Sequence, residues 1–327
     1  MAASIFTVSL DFELYWGVRD KRTLDSYSAN LLGVRQAIPR MLEAFADAGV
    51  NASWATVGFL MFDDKEELLA GLPEELPTYM QPELSPYPRL EQIGRNEKED
   101  PFHFGLSLVR QIMACPGQEV ASHTFSHYYC LEDGQTQGQF RADLAAAQAA
   151  AGQLGLELRS LVFPRNQYNA AYLSACADAG FTSFRGNPQS WIYRAERDSD
   201  ESAAKRIVRL IDTYVPISGA NTWAVDGGSP VNVPASCFLR PYSPTLASFD
   251  SWRLERIKRQ MSHAARNGLA YHLWWHPHNF GVHTQENMAF LRQVLDHYRR
   301  LAGEFGMRSL SMKQVAELAD ERGAVAA

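Results

Sequence analysis

The chain has 327 residues, of which 46% are hydrophobic and 21% are charged, a composition typical of a globular protein with a large core. Its 37 acidic residues outnumber its 31 Lys and Arg residues, which gives a formal charge of -6. This balance gives no electrostatic reason to expect nucleic acid or an anionic membrane surface as a partner.

Targeting signals and cysteines bear on the compartment. The first residues lack the basic segment of a signal peptide, and we find no candidate membrane helix of about 18 or more apolar residues. The cysteines are Cys115, Cys130, Cys176 and Cys237, widely spaced and without a CxxC pair. Such spacing favours free thiols in a reducing compartment. We therefore expect a cytoplasmic protein with no stable membrane insertion.

The first half of the chain alternates extended and helical patterns. Predicted strands alternate or are rich in β-branched residues, and predicted helices have apolar residues at helical spacing. In chain order these are strand 5–12, helix 30–49, strand 52–57, helix 64–70, helix 104–114, strand 119–122, helix 138–154, strand 160–163, helix 170–179 and strand 181–184. Pro39 predicts a kink in the first helix, or a later start.

Two segments have weaker patterns. Residues 71–101 hold six prolines, and we interpret them as a long surface excursion, a candidate lid on the substrate side. Residues 187–247 mix Gly, Pro and aromatic residues and are assigned only loosely.

The end of the chain has a regular pattern. It predicts helix 250–267, strand 269–275, helix 285–301, a short strand and helix 311–321. Repeated strand–helix units favour one domain, 1–327, with a parallel sheet that is either closed into a barrel or open and doubly wound.

Clusters of polar residues follow four of the predicted strands. The segments are Ser-Leu-Asp-Phe-Glu at 9–13, His-Thr-Phe-Ser-His at 123–127, Phe-Pro-Arg-Asn-Gln at 163–167 and Trp-Trp-His-Pro-His-Asn at 274–279. In a βα barrel the carboxyl ends of the strands converge on one face, which carries the active site. Packing alone does not explain four polar clusters at one topological position.

Asp11 and Glu13 lie two residues apart on an extended chain, so both point to the same side. One of them can bind a metal while the other acts as a base. The residues alone leave open which does which, and a pair of solvated carboxylates is the simpler alternative.

His123 and His127 are four residues apart, a spacing that places two imidazoles on one face of a helical turn. With a carboxylate they form a three-ligand set that leaves room for water, the pattern of a hydrolytic zinc centre. The spacing matches the HExxH motif of metallopeptidases, but Thr-Phe-Ser between the histidines lacks the general-base Glu, which excludes that class. Two packed core histidines remain the alternative.

His276 follows two tryptophans, and a histidine in an aromatic wall suits a general acid for a leaving amine. A half-buried core histidine is the alternative, and His278 competes for the role. Arg165 is a candidate for orienting a carboxylate or binding an anion, or for a structural ion pair.

Together these clusters resemble the motifs of the polysaccharide deacetylases (NodB homology, carbohydrate esterase 4). Ser-Leu-Asp-Phe-Glu is similar to the first motif, His-Thr-Phe-Ser-His to the second, and Leu-Trp-Trp-His to the late one, while Phe-Pro-Arg-Asn-Gln stands where the third belongs. Most members have adjacent aspartates in the first motif, whereas Asp11 and Glu13 are separated here. The fourth motif, an Asp–Trp element, is not placed, with Asp212 and Trp191 as candidates.

The resemblance implies an irregular (β/α) barrel and a role for each matching residue. By position, Asp11 would be the catalytic base, Arg165 would hold it in place, and His276 would be the general acid. Glu13, His123 and His127 would bind a divalent metal, with Zn²⁺ first and Co²⁺, Ni²⁺ or Fe²⁺ as alternatives.

The expected function is metal-dependent removal of N-acetyl groups from a carbohydrate, an intermediate of a bacterial surface polysaccharide. The expected partner is an acetylated sugar, and the sequence does not indicate an oligomeric state. Two alternatives are hydrolysis of another non-peptide C–N bond, in a formamide or a cyclic amide, and a non-catalytic carbohydrate-binding relative.

Overall fold

A computed structural model describes residues 4–194, 196–197 and 202–326. Within them, nine strands form one sheet in which every pairing between strands is parallel. The strands are β1 Ile5–Phe12, β2 Ala52–Thr56, β3 Gln118–Ser122, β4 Ser160–Val162, β5 Ser183–Arg185, β6 Val231–Asn232, β7 Cys237–Phe238, β8 Ala270–Trp275 and β9 Arg308–Ser309. Their order is β6-β5-β4-β3-β2-β1-β8-β7, and β9 pairs with the start of β1.

One chain segment, residues 231–239, connects the two outer edges of this curled sheet. Its first half pairs with β5, where Val233 N–H donates to the Phe184 carbonyl at 2.9 Å. Its second half pairs with β8, where Leu239 N–H donates to the Trp274 carbonyl at 2.8 Å. The edges are thereby covered, and the sheet forms the irregular (β/α) barrel that was expected.

Helices surround the sheet. They are α1 Leu24–Ala48, α2 Lys65–Ala70, α3 Leu106–Ala114, α4 Gln137–Gln153, α5 Leu173–Asp178, α6 Ala203–Asp212, α7 Asp250–Asn267, α8 Thr284–Phe305 and α9 Met312–Ala326. In the described chain, none of them has the length and apolar character that crossing a bilayer requires.

Strand alternation divides the core into two layers. Phe6, Val8 and Leu10 of β1 belong to the large cluster between the sheet and the helices, whereas Ile5 belongs to a smaller cluster with residues of α9 such as Met312. Successive strand residues point to opposite faces, so Asp11 shares the inner face with Ile5. The lumen is therefore apolar where α9 packs and becomes polar toward the carboxyl ends of the strands.

The regular elements mostly follow the predicted pattern. Helix α1 begins six residues before the predicted start, at Leu24, and continues through Pro39 because its buried face packs on both sides of the proline. The loosely assigned segment contains α6 and the two short strands that close the barrel, which are too short for a periodic signal. Where α1 approaches the turn after β8, a Cβ on Gly33 would lie 1.9 Å from the Gly281 carbonyl oxygen, so this contact requires glycine.

The Pro-rich excursion at 71–101 packs on the barrel through buried side chains, including Tyr87 and Leu90 of the main core. The hydroxyl of Tyr79 accepts a hydrogen bond from Tyr129 N–H at 2.9 Å. The excursion therefore braces the segment that follows His127, which places it beside the second polar cluster.

Candidate metal and catalytic site

The carboxyl ends of β1, β3, β5 and β8 bring together residues that are far apart in sequence. Asp11, Glu13, His123 and His127 are each at most 3% exposed. The side chain of His276 is 24% exposed and is therefore the member of this group that solvent or a substrate reaches. The expected convergence of the first, second and late motifs is present.

Glu13, His123 and His127 form a group of three candidate ligands. One oxygen of Glu13, Oε2, lies 3.3 Å from Nε2 of His123 and 3.1 Å from Nε2 of His127. One ligand atom from each residue lies within 4.8 Å of the other two. Two neutral imidazoles and a carboxylate are a donor set that suits Zn²⁺ and related divalent metals.

The hydrogen bonds of His123 fix which nitrogen faces the group. Its Nδ1 lies 2.8 Å from the carbonyl oxygen of Val162, which can only accept, so Nδ1 carries the proton. In the neutral imidazole Nε2 then presents a lone pair, and this nitrogen is buried without a hydrogen-bond partner in the described chain. An unsatisfied buried nitrogen aimed at a carboxylate and a second imidazole fits a metal ligand.

Burial and charge set the protonation of the group. Burial lowers the pKa of His127 to about 4, although its hydrogen bond to Glu13 opposes the shift. Burial alone would raise the pKa of Glu13, but the neighbouring His276, His123 and His127 outweigh it and hold that pKa well below its usual range. At neutral pH the group therefore has the neutral imidazole and the carboxylate that metal binding requires.

Glycine 17 makes room for the Glu13 side chain. A Cβ on Gly17 would lie 1.9 Å from Cδ of Glu13. A side chain at residue 17 would therefore displace the carboxylate from the two histidines, so the short turn after β1 belongs to the site.

The loops that carry the site also hold unusual backbone conformations. Among the described residues, five of the seven non-glycine residues with positive φ follow β1, β3 or β4, namely Leu14, Thr124, His127, Arg165 and Asn166. Such conformations cost free energy and persist where surrounding contacts enforce them, most often at functional sites.

Asp143 of α4 supplies those contacts for the 123–127 loop. Its carboxylate accepts backbone hydrogen bonds from Phe125 at 2.7 Å and Ser126 at 3.2 Å, and another from the Ser126 hydroxyl. Burial raises the pKa of Asp143 to about 6. The residue lies outside every motif, and only its position in a helix of alanines distinguished it in the sequence.

Asp11 is held by Arg185. The guanidinium donates to both carboxylate oxygens, at 2.6 and 2.7 Å, and also to the Ser9 hydroxyl at 2.9 Å. Burial would raise the pKa of Asp11, but Arg185, and after it the neighbouring His123, lowers it. A two-point contact with a buried arginine fixes both the orientation and the ionised state of this carboxylate.

The expectation that Arg165 holds Asp11 was therefore wrong. Arg165 forms an ion pair with Asp20, and its Nη1 lies 3.9 Å from Glu132. Arg165 also follows β4, whereas the arginine that reaches Asp11 ends β5. Arg185 is followed by Gly-Asn-Pro, so a second Arg/Pro pattern at a strand end was the available signal.

The two candidate acids lie side by side. Nε2 of His276 is 3.8 Å from Oδ2 of Asp11 and 3.7 Å from Oε1 of Glu13. The ring stacks on His278 at a centroid distance of 5.0 Å. His278 is buried, which lowers its pKa to about 3, and its Nδ1 is 4.0 Å from Glu13. His276 is the more accessible of the two.

His272 was not singled out by its sequence context, yet it lies in the lumen below Asp11. Its Nδ1 donates to the Val233 carbonyl at 3.1 Å, and its Nε2 lies 2.8 Å from the Ser9 hydroxyl. Since Ser9 also accepts from Arg185, the histidine supports the arginine that holds Asp11. The strand alternation Ala270, His272, Trp274 was the sequence signal for it.

The candidates for the fourth motif make other contacts. Asp212 accepts from Arg256 at 2.8 Å and from the Tyr193 hydroxyl at 2.6 Å. Trp191 is 65% exposed. These contacts of Asp212 tie α6 to α7 and explain its burial.

Comparison with known proteins gives matches to solved structures only. The sequence matches no family model and no curated protein. The chain is similar to a candidate polysaccharide deacetylase from Mycobacterium smegmatis, with a TM-score of 0.62, 15% identity and coverage of 99% of this chain and 92% of that one.

Two further structures are similar over nearly the whole chain. The probable polysaccharide deacetylase of Pseudomonas aeruginosa aligns with a TM-score of 0.55 at 11% identity, covering 98% of this chain and 92% of that one. The Puue allantoinase aligns with a TM-score of 0.54 at 10% identity, covering 98% and 91%. At such identities the likeness concerns architecture, and this chain has the polysaccharide deacetylase type of (β/α) barrel fold.

Proposed function

We propose that the protein is a metal-dependent hydrolase that removes N-acetyl groups from a carbohydrate. The observation that supports this most is the arrangement at the barrel mouth. The imidazoles of His123 and His127 lie against the Glu13 carboxylate. The Asp11 carboxylate, held by Arg185, lies beside them, and the solvent-accessible His276 faces both carboxylates. A carbohydrate-binding relative without activity would not need a base and an acid beside a ligand set.

Glu13, His123 and His127 would hold the cation. A divalent metal in this position supplies Lewis acidity, which polarises an acyl carbonyl and acidifies water. Zn²⁺ is the first expectation, and Co²⁺, Ni²⁺ and Fe²⁺ are compatible with two nitrogen ligands and one oxygen ligand.

Asp11 and His276 each carry out one of the two proton transfers. Asp11 takes a proton from the attacking water, and Arg185 keeps Asp11 ionised and in place for that step. Water adds to the acetyl carbonyl, and the C–N bond then breaks while His276 donates a proton to the departing nitrogen. The immediate products are acetic acid and the amine, which leave as acetate and an ammonium ion, and the proton taken up by Asp11 replaces the one given up by His276, so atoms and charges balance.

The substrate class rests on the motif resemblance and on two neighbours described as polysaccharide deacetylases. Phe238 and Trp274 lie beside His276, with ring centroids 5.9 and 5.6 Å from its ring. Aromatic faces in this position suit the apolar face of a sugar ring.

We further propose that the substrate is an intracellular intermediate of a surface polysaccharide. All four cysteines are free, as suits a reducing compartment. Cell fractionation tests the location, and activity on activated sugars compared with chitin-like polymers tests the substrate. A secreted enzyme that prefers polymer would contradict this proposal.

Hydrolysis of another non-peptide C–N bond is the second candidate. It is favoured by the likeness to a protein described as an allantoinase. The same carboxylates and histidine would serve for a formamide or a cyclic amide, because water addition and nitrogen protonation are common to these reactions.

One assay separates the candidates. Purified protein with added divalent metal is incubated with N-acetylated sugars, an N-formylated sugar and allantoin, and acetate, formate and ring-opened product are measured. Release of acetate that requires metal and is lost in Asp11→Asn supports deacetylation. Product from only the formylated sugar or allantoin favours the second candidate, and no product from any substrate contradicts both.

A further inference from the structure

A cavity of about 620 Å³ adjoins the site on the side of α6 and β7. Its volume lies within the range of small-molecule pockets. Phe238 and Trp274, the aromatic neighbours of His276, line it. So does Asn166, whose side-chain oxygen accepts a hydrogen bond from Arg185 at 2.8 Å. A ligand in the cavity would therefore extend to the wall of the catalytic site.

The lining of this cavity is strongly basic. Among the described residues it includes seven arginines and a single carboxylate, that of Glu196. Glu196 is itself in an ion pair with Lys205 at 2.6 Å. Three of the arginines also have acidic partners, since Arg165 pairs with Asp20, Arg197 with Asp133 and Arg256 with Asp212. Arg240 belongs to none of these ion pairs.

Arg240 is the member of this lining that indicates a ligand. It is half-buried, and its Nε donates to the neutral Thr213 hydroxyl at 2.9 Å. In the part of the chain that the structure describes, no carboxylate forms an ion pair with it. Burial lowers its pKa, because a charge without its full hydration is disfavoured. A guanidinium has five N–H donors, and an oxyanion in the cavity would accept from those that Thr213 does not use.

Arg209, on α6, is a second half-buried arginine in the lining of the cavity. Burial lowers its pKa; Tyr193 and Glu196 oppose that shift, and Arg240 adds to it. An anion in the cavity would reduce the repulsion between Arg209 and Arg240.

We propose that this cavity binds an oxyanion, a phosphate or a carboxylate, carried by the substrate at a distance from the acyl group that is hydrolysed. The proposal rests on the proposed function, because the ligand it describes is the substrate of that reaction. It narrows the substrate to an acidic or phosphorylated acylated sugar, and it assigns Arg240 to recognition rather than to chemistry.

Binding of sugars without an acyl group tests the proposal independently of hydrolysis. Glucose 1-phosphate, glucuronate and glucose are titrated into the metal-loaded protein by calorimetry. We expect at least one of the two anions to bind about 10- to 100-fold more tightly than glucose, and the preference to weaken at high salt. The anion that shows the preference identifies which oxyanion the cavity takes.

Variants locate the binding site. Arg240→Gln should abolish the preference, Arg240→Lys should retain part of it, and Arg159→Gln, a change to a half-exposed arginine before β4, should leave it intact. The preference should also survive in His123→Ala, which shows that the anion is not bound by the metal. Equal affinity for all three sugars, an unchanged preference in Arg240→Gln, or its loss in His123→Ala would overturn the proposal. Failure of the deacetylase assay would leave these outcomes unaffected.

Discussion

Buried carboxylates lie at both ends of the barrel, and their pKa values are shifted in opposite directions. At the amino ends of the strands, Glu119 accepts hydrogen bonds from the Ser53 hydroxyl at 2.6 Å and from Lys313 N–H at 3.1 Å. Burial raises the pKa of Glu119, and these donors only partly oppose the shift because they carry no charge. The contacts attach the start of α9 to the sheet.

At the carboxyl ends, burial acts on Asp11 and Glu13 in the same direction, yet both pKa values are lowered. The difference is the partner, since the Arg185 guanidinium holds Asp11 and three histidines surround Glu13, whereas Glu119 accepts from a hydroxyl and a backbone N–H. Burial alone therefore does not distinguish a functional carboxylate from a structural one. A buried carboxylate that stays ionised beside basic groups is the one available for chemistry.

The largest effect on turnover is expected when one carboxylate is substituted at each end of the barrel. Asp11→Asn should lower turnover by roughly 10²–10⁴-fold and keep the metal, because the amide cannot accept a proton from water. Glu119→Gln keeps the shape of the carboxylate at the other end and should leave turnover near that of the wild type. Acetate release and metal content are measured for both. Loss of metal in Asp11→Asn would instead make Asp11 a ligand.

Removing the positive partner should make Asp11 resemble Glu119. In Arg185→Met the carboxylate is buried without its cation, so its pKa rises and turnover requires a higher pH. The free energy of unfolding should fall by about 3–5 kcal/mol. The pH–rate profile and denaturant unfolding are compared with Arg165→Met, whose acid limb should stay where it is in the wild type. An equal shift of the acid limb in Arg185→Met and Arg165→Met would contradict the specific role of Arg185 in keeping Asp11 ionised.

The stacked histidines His276 and His278 allow a comparison of two candidate proton donors at the same end of the barrel. His276→Ala should remove the alkaline limb of the pH–rate profile, because the departing nitrogen then lacks its proton donor. Turnover should fall by roughly 10²-fold or more, with metal content unchanged. The more buried His278 serves as the matched control. Loss of the limb in His278→Ala, but not in His276→Ala, would exchange their roles.

Asp143 tests whether the charge of its partners, rather than its location near the site, sets the pKa of a buried carboxylate. It lies near the site but accepts only from neutral donors, and burial raises its pKa to about 6 from 3.8. The folded state then binds this proton more tightly than the unfolded state, so stability falls as pH rises from about 4 to about 6. The loss amounts to about 3 kcal/mol.

Asp143→Asn removes the titrating group and should remove that part of the pH dependence. Urea unfolding of both proteins at several pH values gives the difference, which cancels groups that titrate in both. Identical pH dependence in the two proteins would show that the shift at Asp143 is absent.

Much of the fold follows from sequence because long strands and helices carry a periodic pattern. Strand β1 alternates from Phe6 to Phe12, and α8, a helix of 22 residues, repeats its buried face from Asn287 to Leu301. The closing strands β6 and β7 have two residues each, so their place depends on long-range pairing with β5 and β8 and not on local pattern. Such pairing is invisible in a single sequence.

The site divides in the same way. Residues inside one motif, such as Asp11 and Glu13 or His123 and His127, were predicted together because their spacing reflects one strand end or loop. Arg185 and Asp143 were not, because each acts through a contact across the barrel mouth or from an outer helix. Arg165 was chosen for its motif position, and only the geometry of β5 shows which arginine reaches Asp11.

The central claim, that Glu13, His123 and His127 form a metal centre, is tested most directly by elemental analysis. Protein purified without chelator is compared with His123→Ala and with Glu119→Gln as a control at the opposite end. We predict close to one divalent metal per chain in the wild type and in Glu119→Gln, and little in His123→Ala. Equal metal content in the wild type and His123→Ala would contradict the account.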